Sequence, residues 1–355
     1  MTKRKLTRRQ AWRIDKIQQE REARASKKDV ISRGELNEGD LGEEQFGLVI
    51  AHYGKLIDVQ PIAVESAEDA IPDTLDGATA SNIKRCHFRA NLGSLVTGDR
   101  VIWRDGKTHG VIVARQDRVS ALSRPDPYGD LKTIAANIDR IVIVIAPFPE
   151  VVANLIDRYL VAAETTGITP IILLNKSDLI NDDNQEKLQG LLHTYESLGY
   201  QVQTVSTQTG EGLVELKQYL AKYTSVFVGQ SGVGKSSLVN ALLPDTDIKV
   251  GGLTEQTQQG THTTTTARLY HFPGGGQLID SPGIREFGLW HMSPEHLIEG
   301  FVEFRPFIGH CKFRDCAHES EPKCAINKAL EDGEISGVRF SSYLYILSTL
   351  EAEKH

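Results

Sequence analysis

The sequence predicts a multidomain α/β protein with a β-rich N-terminal part, a core of alternating strands and helices, and a helical C-terminal part. Short β-rich runs separated by glycines occupy residues 45–122. From residue 139 to residue 280, apolar strands alternate with helical patterns, which is typical of a doubly wound α/β sheet. Helical patterns then surround a cluster of three cysteines and one histidine.

The composition is that of an ordinary globular protein, and it excludes two classes. No apolar run approaches the roughly 20 residues that cross a bilayer, so we expect no membrane partner. The basic N-terminus has no apolar segment or cleavage site of a secretory signal. Four cysteines in 355 residues do not make a disulfide scaffold. We therefore expect a cytoplasmic location. The chain is also expected to be a monomer.

Charge is distributed unevenly along the chain. Residues 1–30 contain eleven Lys or Arg against four Asp or Glu, so this segment carries +7 while the whole chain carries −7. A basic arm, taken as residues 1–35, on a body of charge −14 favours contact between the arm and a polyanion such as RNA. The alternative is a solvated tail that binds nothing.

Residues 36–122 are predicted to form a small β-barrel. The runs "FGLVIAHYGKLIDVQ", "IKRCHFRANL", "DRVIWRDG" and "HGVIVARQDRVSAL" supply about five strands, which fits an oligonucleotide-binding (OB-type) barrel. Cys86 stands apart from the other cysteines and is interpreted as a packed core residue.

The stretch "GQSGVGKSSL" satisfies the phosphate-loop pattern between a predicted strand and a predicted helix. Glycines let backbone amides turn around phosphates, and the helix N-terminus adds its positive dipole end. Lys235 is expected to bind the β- and γ-phosphates, and the Ser236 hydroxyl to ligate Mg²⁺. The predicted phosphate-binding residues are Gly229, Gln230, Ser231, Gly232, Val233, Gly234, Lys235, Ser236 and Ser237.

A base-reading segment, "NKSD", follows the apolar strand "TPIILL". The Asp178 carboxylate can accept hydrogen bonds from guanine N1–H and the 2-amino group, which adenine does not offer. Asn175 is expected to bond the purine and brace the phosphate loop, while Lys176 covers one face of the base beside Ser177. The small-residue turn at Ser206 and Thr207 is expected to back the base.

Two switch segments complete the set. "LIDSPG" places Asp280 at a strand end, where it can hold Mg²⁺ through water. Gly283, the glycine of this D-x-x-G motif, is expected to sense the γ-phosphate. In "GTHTTTT", Thr264 is the favoured second magnesium ligand and Thr265 the alternative; the threonines could otherwise form an edge strand. The residue after Gly283 is Ile284, which cannot orient water. His262 is the candidate for that task, or else a solvated loop histidine.

The motifs stand in a rotated order. The base-reading Asn175 precedes the phosphate-loop Gly229 by 54 residues, and the switches follow. A cyclic rotation leaves the sheet unchanged when chain ends lie close together. Because the chain now runs from Gly283 directly into residues 290–355, we hypothesise that the nucleotide state moves the C-terminal part.

Near the C-terminus, Cys311, Cys316, His318 and Cys324 form a C-x₄-C-x-H-x₅-C array. Three thiolates and one imidazole make a closed tetrahedral Zn²⁺ set, so the predicted role is structural. Reduced, unliganded cysteines are the alternative interpretation.

Taken together, "LVTGDRV", "NKSD", "GQSGVGKSS", "GTHTTTT", "DSPGI" and the Cys₃His array resemble the RsgA (YjeQ) family over residues 36–350. The resemblance implies an OB-type barrel, a circularly permuted Ras-like P-loop GTPase core and a zinc-containing C-terminal domain. It also implies GTP hydrolysis to GDP with Mg²⁺, stimulation by the small ribosomal subunit and its rRNA, and a role in late maturation of that subunit. The expected domains are 1–35, 36–122, 123–288 and 289–355.

Two other functions stay open at this stage. A permuted GTPase of this kind could act on the large subunit or on another RNA–protein particle, which co-sedimentation would decide. Alternatively, the chain could be a nucleotide-regulated RNA-binding module whose hydrolysis is incidental, in which case variants of Asp280 or Lys235 would still support subunit maturation.

Overall fold

The first structural unit is a closed five-stranded barrel. A computed structural model describes residues 41–62, 82–89, 92–125, 130–243, 267–280, 292–319 and 321–352. The first strand bonds to the second on one edge and to the fourth on the other, while the third and fifth strands run parallel. The strands are β1 (Glu44–Tyr53), β2 (Leu56–Pro61), β3 (Lys84–Phe88), β4 (Arg100–Arg104) and β5 (Gly110–Arg115). This closure confirms the predicted barrel.

Every second side chain along a strand such as β4 points inward and fills the barrel. In β4, Val101 and Trp103 are buried while their neighbours are partly exposed. Cys86 lies in the same core, as predicted, and burial raises its thiol pKa to about 12. A neutral, enclosed thiol behaves as a small apolar side chain.

A two-stranded hairpin follows the barrel and was not anticipated from the sequence. β6 (Ala121–Pro125) pairs with β7 (Leu131–Ala136) in a sheet separate from the rest. The expected division between residues 122 and 123 falls inside β6.

The core sheet has the strand order β10-β9-β8-β11-β13-β12. Its strands are β8 (Arg140–Ile145), β9 (Thr169–Leu174), β10 (Gln201–Thr204), β11 (Thr224–Val228), β12 (Arg268–His271) and β13 (Gln277–Asp280). All neighbouring pairs are parallel except β12 with β13. β11 pairs with β8, which is earlier in the chain, and with β13, which is later. The rotated motif order is therefore accommodated within one mostly parallel sheet.

Helices cover both faces of the core sheet. They are α1 (Ala153–Thr166), α2 (Gln185–Ser197), α3 (Leu213–Leu220) and α4 (Lys235–Leu242). Along β8, Ile141 and Ile143 pack with α1 and α2, while Val142 and Val144 pack with α3 and α4. A strand buried on both faces explains why "RIVIVI" has no polar alternation.

The C-terminal helices are α5 (Pro294–Glu299), α6 (Ala325–Glu331) and α7 (Gly337–Ala352), with a 3₁₀ segment at Val302–Phe307. Their aromatic residues Phe301, Phe304 and Tyr343 join the same apolar cluster as α1. Among the described residues, no helix combines the length and apolarity needed to cross a membrane.

Barrel and core are joined through strand β12. Ala51 of β1 pairs with Arg268, and the Thr97 hydroxyl donates to the Ala267 carbonyl at 2.9 Å. His271 Nε2 donates to Gln60 Oε1 at 2.6 Å. The barrel thereby extends the core sheet into one eleven-stranded sheet.

Candidate nucleotide-binding site and metal centre

The phosphate loop lies at the carboxyl end of β11 and leads into α4. Gly229, Gly232 and Gly234 all have positive φ, at 135°, 84° and 92°. A Cβ at Gly229 would lie 2.2 Å from the Val144 carbonyl oxygen, so the backbone approach itself requires glycine. The Lys235 ammonium donates to the carbonyls of Gly229 and Gln230, each at 2.7 Å.

The base-reading segment is bonded directly to this loop. Asn175 is fully buried, and its Nδ2 donates to the Val233 carbonyl at 2.9 Å. Lys176 donates from Nζ to the Gly232 carbonyl at 2.6 Å. Two segments that are 54 residues apart in sequence are thus held as one site.

Asn175 also carries a buried atom that the described residues do not satisfy. Its Oδ1 has no hydrogen-bond partner among the described residues. Most buried polar atoms in proteins are bonded, so this atom marks a place where a ligand could complete the bonding. The Asn175 side-chain amide has a second Nδ2 hydrogen, which can be donated to a ring nitrogen of a purine.

Asp178 is exposed, and a buried hydroxyl orients its carboxylate. Ser206 donates from Oγ to Asp178 Oδ1. The same Ser206 Oγ accepts the amides of Gln208 and Thr209, at 3.2 and 3.1 Å. Because its lone pairs are engaged there, the hydroxyl proton is left for Asp178, whose carboxylate keeps acceptor capacity for a ligand.

Asp280 ends β13, beside the phosphate loop. β13 is the parallel neighbour of β11, so the carboxyl ends of the two strands share one edge of the sheet. Asn175 and Ser206 follow β9 and β10 at that same edge. Ligands of open parallel sheets bind at this edge, which agrees with the predicted grouping.

The four predicted metal ligands converge. The ligand atoms of Cys311, Cys316, His318 and Cys324 all lie within 4.8 Å of one another. Sulfurs of Cys311 and Cys324 are 3.8 Å apart, and His318 Nδ1 lies 3.5 and 3.4 Å from them. A tetrahedral zinc with bonds of about 2.3 Å to sulfur has sulfur–sulfur edges of about 3.8 Å, so the set fits the ion.

Backbone amides support the thiolates. The Ala325 amide donates to Cys311 Sγ at 3.3 Å, and the Asn327 amide donates to Cys324 Sγ at 3.4 Å. Cys324 is thereby the N-cap of α6, where a helix favours negative charge. His318 adopts a left-handed φ of 64°, which turns the loop so that its ring meets the sulfurs.

Comparison with known proteins decides the family. The model of a family described as RsgA GTPase matches residues 115–290. A protein of Azotobacter vinelandii named "Small ribosomal subunit biogenesis GTPase RsgA" is 58% identical over 351 residues, covering 99% of this chain and 98% of the relative. This chain belongs to the RsgA GTPase family.

Further relatives agree over most of the chain. A protein of Ectopseudomonas mendocina with the same name is 56% identical over 356 residues and covers 100% of both chains. The crystal structure of YjeQ from Thermotoga maritima superposes with a TM-score of 0.68 at 30% identity, covering 87% of this chain and 99% of that one. YloQ, described as a circularly permuted GTPase, superposes with a TM-score of 0.66 at 28% identity, covering 88% and 97%. The predicted fold class and the rotated GTPase order are confirmed.

Some RsgA-family expectations fall outside the described residues. His262, Thr264 and Thr265 of the first switch lie there, as do Gly283 and Ile284 of the second. The basic arm at 1–35 is likewise outside.

Sequence reasoning missed the partners that fix the base-reading segment. Lys176 also donates to the Phe148 carbonyl at 3.1 Å, and Ser177 donates to Glu211 Oε2 at 3.2 Å. A bond to a backbone carbonyl leaves no residue-type signal. Glu211 stands within the turn "STQTGEGL", residues 206–213, and is its acidic member.

Proposed function

We propose that this RsgA-family GTPase binds the small ribosomal subunit and assists its late maturation, hydrolysing GTP when the subunit stimulates it. The observation that carries the nucleotide part is the brace between the base-reading segment and the phosphate loop, through Asn175 to Val233 and Lys176 to Gly232. The small subunit is proposed as the partner because the names of the relatives specify it.

Within this proposal, Asp178 selects guanine, with Asn175, Lys176, Ser177, Ser206 and Thr207 around the base. Gly229 to Ser237 hold the phosphates. Ser236 and Thr264 are the magnesium ligands, and Asp280 acts through the water shell. Gly283 senses the γ-phosphate, and His262 orients water in place of Ile284. The ion supplies charge neutralisation at the phosphates.

Cys311, Cys316, His318 and Cys324 would hold one structural zinc. With four protein ligands such a site has no open position, so the ion would stabilise the C-terminal fold without taking part in the reaction. The division into 1–35, 36–122, 123–288 and 289–355, a monomeric state and a cytoplasmic location belong to the same proposal.

A cation–aromatic surface on the barrel supports contact with rRNA. Tyr53 is 45% exposed, and the Arg85 guanidinium lies 5.3 Å from its ring centroid. The neighbouring residue His52 makes an edge contact at 5.7 Å with Phe88, which packs against the core of the barrel. Stacked aromatic rings beside cations are how OB-type barrels bind unpaired bases.

The test is GTP hydrolysis by the purified chain alone, with small subunits and with large subunits. We expect weak basal turnover, because Ile284 cannot orient water, and strong stimulation by the small subunit only. A Lys235→Ala variant measured in parallel subtracts contaminating activity. Equal stimulation by both subunits, or none by either, would overturn the proposed partner.

A further inference from the structure

Helix α1 lies between the phosphate loop and the C-terminal helices, and two of its buried side chains reach opposite ways. Asp157 and Tyr159 are separated by about 200° around the helix axis. Asp157 is fully buried and accepts a bond from the Tyr195 hydroxyl at 2.8 Å. It also bonds to Arg339 Nη1 of α7 at 2.6 Å.

Arg339 ties α1 to the C-terminal domain in a defined orientation. Its side chain is fully buried, and Nε and Nη2 donate to the two carboxylate oxygens of Glu303, at 2.6 and 3.0 Å. The guanidinium lies 4.4 Å from the Phe301 ring centroid. A planar cation bonded on two sides and stacked on a third has little freedom to move alone.

On its other side, α1 meets the phosphate loop. Tyr159 is 5% exposed and lines a small cavity together with Gly229, Gln230 and Val233. Burial raises the pKa of Tyr159, and the Gly229 amide, which donates to the hydroxyl oxygen, lowers it. Asn175 and Lys176 hold the middle of the loop, so Tyr159 adds a contact at its first glycine.

We propose that Tyr159 is a positioning residue for the phosphate loop. The ion network of Asp157, Arg339 and Glu303 fixes the position of α1 and thereby that of Tyr159. A movement of the C-terminal domain would then change the rate at which the loop releases nucleotide. This route is separate from the direct chain connection after Gly283. It rests on the proposed nucleotide binding at residues 229–237.

The test measures release of a fluorescent GDP analogue from the full, zinc-loaded chain. Tyr159→Phe removes only the hydroxyl, and we expect release about fivefold faster, the factor that an ordinary hydrogen bond represents. Tyr219→Phe is the matched control, because that hydroxyl accepts a bond from Arg140 Nε at 3.0 Å, at the start of β8 and away from α1. Its release rate should stay within about twofold of wild type.

Glu303→Gln tests the route from the C-terminal domain. This change keeps the side-chain size, removes a charge from the network and leaves the phosphate loop untouched. We expect faster release, and we expect the double variant Tyr159→Phe/Glu303→Gln to match Tyr159→Phe alone, because both act through one contact. Equal zinc content and GDP stoichiometry establish that the variants are folded.

Three results would overturn the inference. Unchanged release in Tyr159→Phe would remove its positioning role, and unchanged release in Glu303→Gln would remove the network from the route. If the double variant shows the product of the two single fold-changes in release rate, the network acts through a contact other than that of Tyr159. A wild-type chain that binds no GDP would instead overturn the proposed nucleotide function, so the two failures are distinguishable.

Discussion

At the scale of single residues, Asp178 is where base selection should be most sensitive. Asp178→Asn replaces an acceptor by a donor, opposite the N1–H and 2-amino donors of guanine. We expect GDP affinity to fall by about 100-fold or more, because donor would then face donor. Xanthosine diphosphate carries an oxygen in place of the 2-amino group and should regain affinity. Titration calorimetry with both nucleotides measures this.

The matched control for Asp178→Asn is Asp183→Asn, an exposed carboxylate in the same loop region. It makes the same chemical change without facing the base, so both affinities should stay near wild type. Equal losses for the two nucleotides in Asp178→Asn would contradict the assigned role.

His271 couples the barrel interface to pH. Burial lowers its pKa, and Nδ1 has no partner among the described residues while Nε2 donates to Gln60. Its stabilising contribution is therefore complete above the unfolded pKa of about 6.5 and is lost as pH falls from there through the folded pKa. The thermal midpoint should drop between pH 7.5 and pH 5.5.

His271→Gln should flatten this pH dependence, because glutamine does not titrate. Each pKa unit between the folded and unfolded imidazole corresponds to about 1.4 kcal/mol of lost stability. His193→Gln, at an exposed position on α2, should leave the wild-type slope. If both variants keep that slope, His271 does not govern it.

At the scale of elements, the turn from β11 into α4 depends on Gly234. A Cβ there would lie 2.4 Å from Asn175 Nδ2, at a φ of +92°. Gly234→Ala should therefore push the base-reading segment away from the loop and lower GDP affinity by at least tenfold, measured by titration. Gly190→Ala, on the exposed face of α2 with nothing within 4 Å of the new Cβ, should raise stability by about 0.5–1 kcal/mol.

Zinc should hold the segment between α5 and α6. Cys316→Ser is expected to reduce bound zinc from one per chain to a small fraction and to unfold this segment, because structural zinc contributes on the order of 10 kcal/mol. Plasma emission spectrometry gives the zinc content, and hydrogen exchange of residues 302–331 reports the fold. Cys86→Ser retains the metal ligands and should keep full zinc. A zinc-free but protected segment would contradict the structural role.

The predictability of these elements follows the range of the interactions that form them. Strands such as β8 and β9 are predictable because β-branched runs carry the signal locally, and the metal set is predictable because all four ligands lie within 14 residues. The β6–β7 hairpin, "ALSRP" with "LKTIAA", contains only two β-branched residues, so it lacked such a pattern. Arg339 meets Asp157 across 182 residues, and no local pattern encodes that pair.

At the scale of the whole molecule, the three parts are connected unequally. The barrel meets the core through the β1–β12 pair and through side-chain bonds of Thr97 and Gln60. Leu48 and Ile50 of β1 also belong to the apolar cluster that the core sheet shares with the C-terminal helices. The C-terminal helices add the buried ion network of Arg339 to that cluster. Charge-assisted hydrogen bonds are stronger than neutral ones, so we expect the barrel to adjust more readily than the C-terminal helices on a ribosomal surface.

The basic arm should supply the salt-dependent part of that ribosomal contact. Deleting residues 1–30 removes a charge of +7 and leaves a body of −14, which a polyanion repels. We expect weaker binding to small subunits and a binding constant that depends less steeply on salt, by about 0.7–0.9 in log–log slope for every phosphate that the arm no longer neutralises.

Basal GTP hydrolysis should persist, since its motifs lie between residues 175 and 283. A full-length variant with seven of the eleven Lys and Arg replaced by Gln gives the arm no net charge and the chain −14, so it separates charge from chain length and should match the deletion. Sedimentation with subunits across a salt series measures both quantities; an unchanged slope in the deletion would identify the arm as a solvated tail.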